Sequence, residues 1–323
     1  MKNIVILATG GTIAGAGEQG KNIGYKSGSI DARTLIEAIP ELNGLANIRV
    51  EQVCNINSDD ITSEIWISLM RRITELSQRD DVDGFVLMHG TDTMEETSFF
   101  LSLTLGAAGA NVKKPVVLTG SMRPATSAEP DGPANLLFAV ECAADVHEIA
   151  KNGAARDVPV YVAFAGKLMD AMTVQKVHAN DLDAFAEVKT ILLPEPSRLN
   201  VPGLDVLALY SLPRVSVLYF NADADAGLVR FAAERSAGLV VAGAGAGEFS
   251  CEWADELARV NIPVVVSSRI NRGCVVPEQL LVPGTIASYG LPPAKAAVLL
   301  RLALTVTNDA TEIQRIFAAE IHP

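Results

Sequence analysis

Residues 2–17 read KNIVILATGGTIAGAG, and this stretch decides the fold class. Its first part, Ile4-Val5-Ile6-Leu7, is a continuous apolar run rich in β-branched residues, which is typical of a strand buried on both faces of a parallel sheet. The run stops at Thr9-Gly10-Gly11-Thr12, where two glycines allow positive φ and close approach by a small molecule. Ligands of open α/β sheets bind outside the carboxyl ends of the strands, so Thr12 stands where such folds do chemistry. A plain strand-to-helix turn with an incidental threonine is the alternative.

Further runs of this kind alternate with helical patterns along the chain, which predicts βαβ units and a parallel sheet. Strands are expected at Ile48–Val53, Phe85–Met88, Val116–Leu118, Val160–Phe164, Val215–Phe220, Leu239–Ala242 and Val264–Ser267. The predicted fold class is α/β with two domains. A larger N-terminal doubly wound, mostly parallel sheet is expected in residues 1–192, and a smaller C-terminal flavodoxin-like α/β domain in residues 215–323. The proline-rich residues 193–214 between them are expected to be a linker.

The composition disfavours several classes of function. The 323 residues carry a formal net charge of -12, which argues against binding to the phosphate backbone of nucleic acids. No apolar run approaches the ~20 residues that a membrane helix needs. The four cysteines are far apart and contain no C-x-x-C pair, so they predict neither a zinc site nor a disulfide framework. As given, the chain is predicted to be cytosolic, and a removed leader would make it periplasmic or secreted.

Polar or glycine-rich clusters follow four of the predicted strands, at Gly10–Thr12, Asn57–Asp59, Gly90–Thr93 and Gly120–Ser121. The carboxyl ends of parallel strands lie along one edge of a sheet, so these groups are expected to converge there. Local roles compete with this interpretation. Ser58, Asp59 or Asp60 would suit the cap of the following helix, and Thr93 with Glu96 would suit a capping box.

Thr12 and Thr91 are the candidate nucleophiles of this cluster. A neutral threonine hydroxyl is a weak nucleophile and needs a base. None of the four histidines offers a Ser-His-Asp arrangement, and His89 precedes a glycine, where it is suited to fixing the turn. A lysine can serve as the base when it is desolvated or lies near other cations. Lys167 and Lys176 are the candidates for this role.

Three motifs carry a resemblance to a known family. They are Thr9-Gly10-Gly11-Thr12-Ile13-Ala14, His89-Gly90-Thr91-Asp92-Thr93-Met94-Glu95-Glu96 and Gly120-Ser121-Met122-Arg123-Pro124. In combination they resemble the bacterial L-asparaginases, especially the secreted type II group and the related glutaminase-asparaginases. The resemblance extends over nearly the whole chain, including residues 294–300.

The resemblance implies hydrolysis of L-asparagine to L-aspartate and ammonia, with a glutaminase side activity as an option and without metal or cofactor. Thr12 would be the nucleophile that attacks the side-chain amide. Tyr25, on a loop that closes over the substrate, would help to polarise it. Thr91, Asp92 and Lys176 would form a second triad, in which Lys176 accepts the proton.

The resemblance also implies how the substrate is held. Ser58 and Asp59 would hold its α-carboxylate and α-amino groups, and Asp92 would also face the ammonium. Backbone N–H groups near Gly11 and Thr91 would stabilise the oxyanion, a contribution often worth a few kcal/mol.

Two further substrate contacts follow from the same resemblance. Ser121 stands at one of the strand ends, and Glu248 lies in a loop that reaches a neighbouring subunit's site in the family. The family's habit of completing each site with a neighbour's C-terminal residues implies a homotetramer of close dimers. The expected partner is a small molecule, L-asparagine or L-glutamine.

The sequence departs from the family's pattern at positions that affect substrate selectivity. Asp59 stands where type II enzymes usually have Gln or Glu. The loop Gly245-Ala246-Gly247-Glu248 replaces a Gly-Asn-Gly-Asn pattern, and Ala171-Met172 replaces a Gly-Arg step. A family glutamate that serves the adjacent site has its nearest counterpart in Glu278, in a poorly aligned region. These changes leave the reaction type in place and the choice between asparagine and glutamine open.

Two other functions stay open on the sequence. One is an amino-acid-binding or sensing module on the same scaffold that lacks catalysis, against which the intact set of Thr12, Tyr25, Thr91, Asp92 and Lys176 argues. The other is the related amidotransferase that acts on charged tRNA. The acidic charge balance and the lack of extra domains disfavour it.

Overall fold

The apolar run at residues 4–7 lies in strand β1 (Lys2–Gly10) of the computed structural model, which describes residues 1–21, 24, 26, 28–107, 109–145, 160–188 and 199–319. Strand β1 is buried from Ile4 to its end, as its uninterrupted apolar pattern predicts. The chain divides into two units, Met1–Glu187 and Val188–Pro323. Each unit is built around its own parallel sheet.

The described part of the first unit contains a six-stranded sheet with the order β2-β1-β3-β4-β5-β6. Besides β1, its strands are β2 (Ala46–Ile56), β3 (Gly84–Met88), β4 (Val116–Thr119), β5 (Val160–Phe164) and β6 (Lys167–Asp170). All neighbours pair in parallel except β6, which returns antiparallel to β5. The carboxyl ends of β1 to β5 therefore share one edge of the sheet.

Helices cover this sheet on both faces. They are α1 (Ala32–Glu37), α2 (Leu42–Leu45), α3 (Ser63–Ser77), α4 (Met94–Leu105) and α5 (Gly132–Ala144). On one face, Ile4 and Ile6 pack in a single apolar cluster with Leu42 of α2 and Leu136 of α5. The alternate residue Leu7 is fully buried as well. Burying such side chains stabilises the fold by roughly 1.5–3 kcal/mol each, and both faces of the doubly wound sheet contribute.

A separate antiparallel ribbon of two short strands follows the main sheet, β7 (Val174–Lys176) and β8 (Phe185–Glu187). Helix α4 contacts β7, and β6 contacts β8. The sequence did not predict β6, β7 or β8, because runs of three or four residues are too short to show a clear periodicity. This ribbon positions Lys176, so the missed elements matter for the site.

The second unit has a smaller parallel sheet, whose order among its described strands is β12-β11-β10-β9. The strands are β9 (Val215–Tyr219), β10 (Gly238–Gly243), β11 (Val264–Ser268) and β12 (Ile286–Ala287). The helices are α6 (Gly227–Ala233), α7 (Cys251–Leu257), α8 (Pro293–Ala303) and α9 (Ala310–Phe317). Trp253 of α7 packs edge-on against Phe220 and anchors an apolar cluster on this sheet.

Some expectations fall on residues outside the described ranges. These are Tyr25 and residues 193–198 of the expected linker. Residues 199–214 contain no helix or strand. The domain boundaries at 192 and 215 stay predictions. None of the described helices is long and apolar enough to cross a membrane.

Candidate active site

The backbones that follow β1 and β3 meet at Gly11 and Gly90. Gly11 has a φ of 81°, and a Cβ on it would lie 2.6 Å from the Gly90 Cα. Side chains do not tolerate so short a contact with backbone, so this approach requires glycine. Thr12 and Thr91 are the next residues after the two glycines, and the contact therefore brings the candidate nucleophiles to the same part of the sheet edge. Thr12 is half-buried and Thr91 is buried.

Ser58 joins this contact from the end of β2. It is buried in a 3-10 turn, Ser58–Asp60. A Cβ on Gly90 would lie 2.7 Å from the Ser58 Oγ, which also accepts a hydrogen bond from the Asp92 N–H at 3.2 Å. The ends of three neighbouring strands are thus joined by direct contacts.

The local capping roles considered for these residues are wrong. Thr62 caps helix α3 by accepting a hydrogen bond from the Ile65 N–H. The Thr93 hydroxyl caps nothing on α4 and instead donates to the Ser58 carbonyl at 2.7 Å. Ser58 and Thr93 are therefore used for contacts between elements rather than within one helix.

Lys176 reaches the Thr91–Asp92 pair from β7. Its Nζ donates to the Thr91 Oγ1 at 2.9 Å and to the Asp92 Oδ1 at 2.6 Å. The Lys176 side chain is only 15% exposed, whereas the Asp92 carboxylate is 65% exposed. A lysine base was expected to be desolvated or to lie near other cations. The Lys176 side chain is largely buried, but the charged group that it contacts is the Asp92 carboxylate and not a cation.

The other lysine candidate lies elsewhere. The Lys167 Nζ forms an ion pair with the Asp183 Oδ2 at 2.5 Å, and both side chains are more than half exposed. An exposed pair of this kind is worth about 0–1 kcal/mol and is an ordinary surface feature. Lys167 is therefore a suitable comparison residue for Lys176.

His89 is fully buried directly before the Gly90–Thr91 turn. Its Nδ1 lies 2.7 Å from the Gly90 carbonyl oxygen, so we assign the hydrogen to Nδ1, and Nε2 of the neutral ring then accepts. The Thr97 hydroxyl donates to Nε2 at 3.0 Å and accepts from the Trp66 indole N–H at 2.8 Å. Burial lowers the pKa of His89 to about 4, and the bond to the Gly90 carbonyl opposes this shift. The neutral ring fixes the turn, as one of the sequence interpretations held.

The fourth strand end is organised by a carboxylate. Asp131 accepts hydrogen bonds from the N–H groups of Met122 and Arg123, both at 2.9 Å. Asn135 of α5 donates to the Gly120 carbonyl at 3.0 Å and accepts from the Ala165 N–H at 3.0 Å. These bonds join the ends of β4 and β5. They leave Ser121 fully buried, with its hydroxyl donating to the Arg123 carbonyl at 2.7 Å.

The remaining predicted site residues have no described hydrogen bond or ion pair with Thr91, Asp92 or Lys176. Asp59 is exposed and makes no hydrogen bond or ion pair with the rest of the described chain. The Gly11 N–H donates to the Ile56 carbonyl at 2.8 Å, so this N–H is not available to an oxyanion. Glu248 belongs to the second unit, where its Oε2 accepts from the Ala246 N–H at 3.0 Å. Tyr25 lies outside the described residues.

Two features of this edge were missed in the sequence. One is the hydrogen bond from the Lys176 N–H to the Glu95 Oε2, at 2.5 Å. The other is the Trp66–Thr97–His89 chain. Glu95 stands inside the motif of residues 89–96, so its position was a usable signal, whereas nothing in the spacing pointed to Trp66.

No group of three or more His, Cys, Asp or Glu side chains in the described part of the chain is arranged to hold a metal ion. The functional groups at this edge of the parallel sheet are two hydroxyls (Thr12 and Thr91), a carboxylate (Asp92) and an amine (Lys176). Such an arrangement is suited to nucleophilic attack on a carbonyl group with proton transfer.

Comparison with protein families finds matches in both halves of the chain. Residues 3–199 match the family described as "Asparaginase, N-terminal". Residues 214–317 match the "Glutaminase/Asparaginase C-terminal domain". Together the two family models cover most of the chain.

Curated relatives and solved structures match at nearly full length. The chain is 39% identical to "Probable L-asparaginase periplasmic" of Haemophilus influenzae and 38% identical to "L-asparaginase 2" of Escherichia coli, in each case over 98% of this chain and 93% of the relative. It is 34% identical to "Glutaminase-asparaginase" of Pseudomonas fluorescens, over 98% of this chain and 90% of the relative. The crystal structure of "Probable Cytoplasmic L-asparaginase" from Campylobacter jejuni matches with a TM-score of 0.84 at 37% identity, over 98% of this chain and 99% of that one. The chain belongs to the family of asparaginases and glutaminase-asparaginases.

Proposed function

We propose that the protein hydrolyses L-asparagine to L-aspartate and ammonia, with Thr12 as nucleophile and Thr91, Asp92 and Lys176 as the proton-transfer group. The observation that carries this proposal is the pair of hydrogen bonds from the Lys176 Nζ to Thr91 and Asp92. Family membership supports the reaction class, because the relatives named above are asparaginases and glutaminase-asparaginases.

In the first half of the proposed reaction, the Thr12 oxygen attacks the side-chain amide carbon of asparagine. As the C–O bond forms, the hydroxyl proton is transferred to the amide nitrogen, the C–N bond breaks, and the nitrogen departs as ammonia. This leaves an aspartyl ester on Thr12. Tyr25 is proposed to polarise the substrate during this step, as the family resemblance implies.

In the second half, a water molecule attacks the ester carbon, the ester C–O bond breaks, and the Thr12 oxygen takes up the proton that the water gives up, relayed through Thr91 and Lys176. The Thr91 hydroxyl takes the proton of the water and passes its own to the Lys176 amine. The contact of 2.9 Å between the Thr91 Oγ1 and the Lys176 Nζ supports this transfer. The transfer requires that the amine be uncharged when it accepts the proton.

Substrate binding is assigned to charged and polar groups around the two threonines. The exposed Asp92 carboxylate is suited to the substrate ammonium, since opposite charges attract. The Ser58 Oγ accepts from the Asp92 N–H and keeps its own hydrogen to donate to the α-carboxylate. Gly11, Asp59 and Ser121 complete the proposed set in this unit.

The finer properties of the enzyme are also proposals. We infer asparagine as the main substrate and glutamine as a side substrate. We further infer a homotetramer in which Glu248 contributes to a neighbouring subunit's site. Light scattering of the purified protein tests the tetramer, and a mass of one or two chains would refute it.

The compartment is inferred from the cysteines. All four are free thiols, and Cys251 is exposed. Free, exposed thiols persist in reducing surroundings, which supports the cytosol. A periplasmic or secreted location would follow if a leader had been removed. Fractionation of the native cells, with the protein detected in each fraction, distinguishes a cytosolic from a periplasmic or secreted location.

The test of the proposed reaction is an ammonia-release assay on both amides with three variants. Thr12→Ala and Lys176→Met are expected to lower kcat at least about 1,000-fold, since each removes a group that acts in the chemical step. Lys167→Met is the control: it removes the other candidate lysine, which forms an exposed ion pair with Asp183 away from Thr91 and Asp92, and it should keep wild-type turnover.

Two results would contradict the proposal. Wild-type protein that releases no ammonia from either amide would refute it, and binding of aspartate in calorimetry would then favour the non-catalytic binding module. Lys176→Met with the turnover of Lys167→Met would refute the assigned base.

A further inference from the structure

We propose that Glu95 is a positioning residue that holds Lys176 against the Thr91–Asp92 pair. The inference rests on the proposed function, since it concerns the lysine assigned there as the base. Its basis is the hydrogen bond from the Lys176 backbone N–H to the Glu95 Oε2, at 2.5 Å. Lys176 is thereby held at both ends, its Nζ by Thr91 and Asp92 and its main chain by Glu95.

The geometry of the ribbon explains why the Lys176 N–H is open to a side chain. In an antiparallel pair, successive N–H groups point alternately toward the partner strand and away from it. The N–H of Val177, the next residue, donates to the Ala184 carbonyl across the ribbon at 2.8 Å. The Lys176 N–H therefore points away from β8, and Glu95 is the acceptor that it meets.

Glu95 is well placed to act as this acceptor. It lies in the first turn of α4, where a negative charge is stabilised by the helix dipole. A hydrogen bond to an ionised acceptor is shorter and stronger than one between neutral groups. Thr91 and Asp92 stand only a few residues before Glu95, so one short segment fixes both the lysine and the groups that the lysine contacts.

The lysine needs such an anchor for two reasons. A two-stranded ribbon is only marginally stable by itself, and β7 is not a member of the main sheet. In addition, the amine ends a flexible four-carbon chain, so a shift of the backbone moves Nζ relative to Thr91. A misplacement of about 1 Å in an active site can lower the rate by about 100-fold.

A purely structural role predicts different behaviour. If Glu95 served only as a negative charge at the start of α4, replacing it would lower the stability of the helix and leave turnover at moderate temperature unchanged. Glu64 occupies the corresponding first turn of α3 and is exposed. It supplies the same helix charge without the contact to Lys176.

The experiment compares Glu95→Ala, Glu95→Gln and Glu64→Ala in the full-length protein, using asparagine hydrolysis and hydrogen exchange of the Lys176 amide. Glu95→Ala removes the acceptor, and it should lower kcat about 10- to 100-fold with KM within about threefold, while the Lys176 amide exchanges faster. Glu95→Gln keeps a carbonyl oxygen that can accept the same bond, and it should retain kcat within about threefold. Glu64→Ala should match the wild type in both measurements.

The outcomes separate this inference from the proposed function. Turnover of Glu95→Ala within twofold of an active wild type would overturn it, and so would equal losses in Glu95→Ala and Glu95→Gln. An inactive wild type would refute the proposed function alone. Hydrogen exchange of the Lys176 amide would then still test whether Glu95 anchors Lys176. An exchange rate in Glu95→Ala equal to that of the wild type would overturn the anchoring role.

Discussion

At the scale of single residues, the site depends on positions where only one side chain fits. Gly11 combines a positive φ with a backbone contact to Gly90, while Gly20 has nearly the same φ, 82°, and open space where its Cβ would be. Both substitutions would therefore place a side chain at positive φ, but only the one at Gly11 would also collide with neighbouring backbone. The placement of Thr12 next to Thr91 depends on the close backbone contact between Gly11 and Gly90.

Gly11→Ala is expected to be much more harmful than Gly20→Ala. Each variant places an alanine at positive φ, and at Gly11, where ψ is -176°, this is a region essentially restricted to glycine that costs roughly 1–3 kcal/mol. Gly11→Ala also forces the Gly11 and Gly90 backbones apart, which should add about 1–3 kcal/mol and disturb the geometry of Thr12 and Thr91. Urea unfolding measures the stability difference, and ammonia release measures the loss of turnover. Equal free energies of unfolding for the two variants would contradict the described contact.

His89 makes a second prediction at this scale, concerning pH. The pKa of His89 is about 4 in the folded chain, against an ordinary value of about 6.5 for a solvated imidazole. Above pH 6.5 the ring is neutral in both states. Between pH 6.5 and about 4 only the unfolded chain binds the proton, so stability is lost as the pH falls through this window, by about 3 kcal/mol in total. Urea unfolding at pH 7.5 and pH 4.5 should show this slope.

The variant that tests this assignment is His89→Gln, compared with the wild type. His89→Gln does not titrate, so its stability should change less between the two pH values, although the variant is less stable throughout because it loses hydrogen bonds of the buried chain. An identical slope in His89→Gln and the wild type would show that His89 is not the group responsible.

At the scale of elements, sequence periodicity was a good guide to the buried strands and a poor guide to short ones. The cores of β1, β3, β4 and β5 were predicted from apolar runs, because a strand buried on both faces carries that signal in every residue. The ribbon of β7 and β8 was missed, since three residues carry almost no pattern. The same limit explains why the environment of Lys176, which the ribbon determines, was beyond prediction.

The strand ends show what the sequence can and cannot say about a site. Their convergence was predictable, because parallel strands present their carboxyl ends at one edge. The partners of individual hydroxyls were not predictable, because Ser58 and Thr93 use contacts between elements in preference to the local caps that their positions allow. Asp131 likewise stands at the start of α5 but binds the N–H groups of residues 122 and 123. Tertiary contacts outweighed local capping in each case.

At the scale of the whole molecule, the proposed chemistry belongs to one unit, Met1–Glu187. The contacts among Gly11, Ser58, Gly90, Thr91, Asp92 and Lys176 all lie within it. The second unit has its own sheet and core and holds Glu248, whose proposed contribution goes to a neighbouring subunit. The family resemblance supplied the reaction and the roles, which the spacing of residues alone did not identify.

Thr12, Thr91, Asp92 and Lys176 are proposed to surround one side-chain amide of the substrate. The measurement that tests this arrangement most directly is a crystal structure of the protein with L-aspartate, the proposed product, bound. We expect the side-chain carboxylate of the ligand to lie within about 3.5 Å of both threonine hydroxyls, with the ligand ammonium on Asp92. Aspartate bound elsewhere, or a ligand-bound structure in which Thr12 and Lys176 do not line the same cleft, would contradict the proposed arrangement.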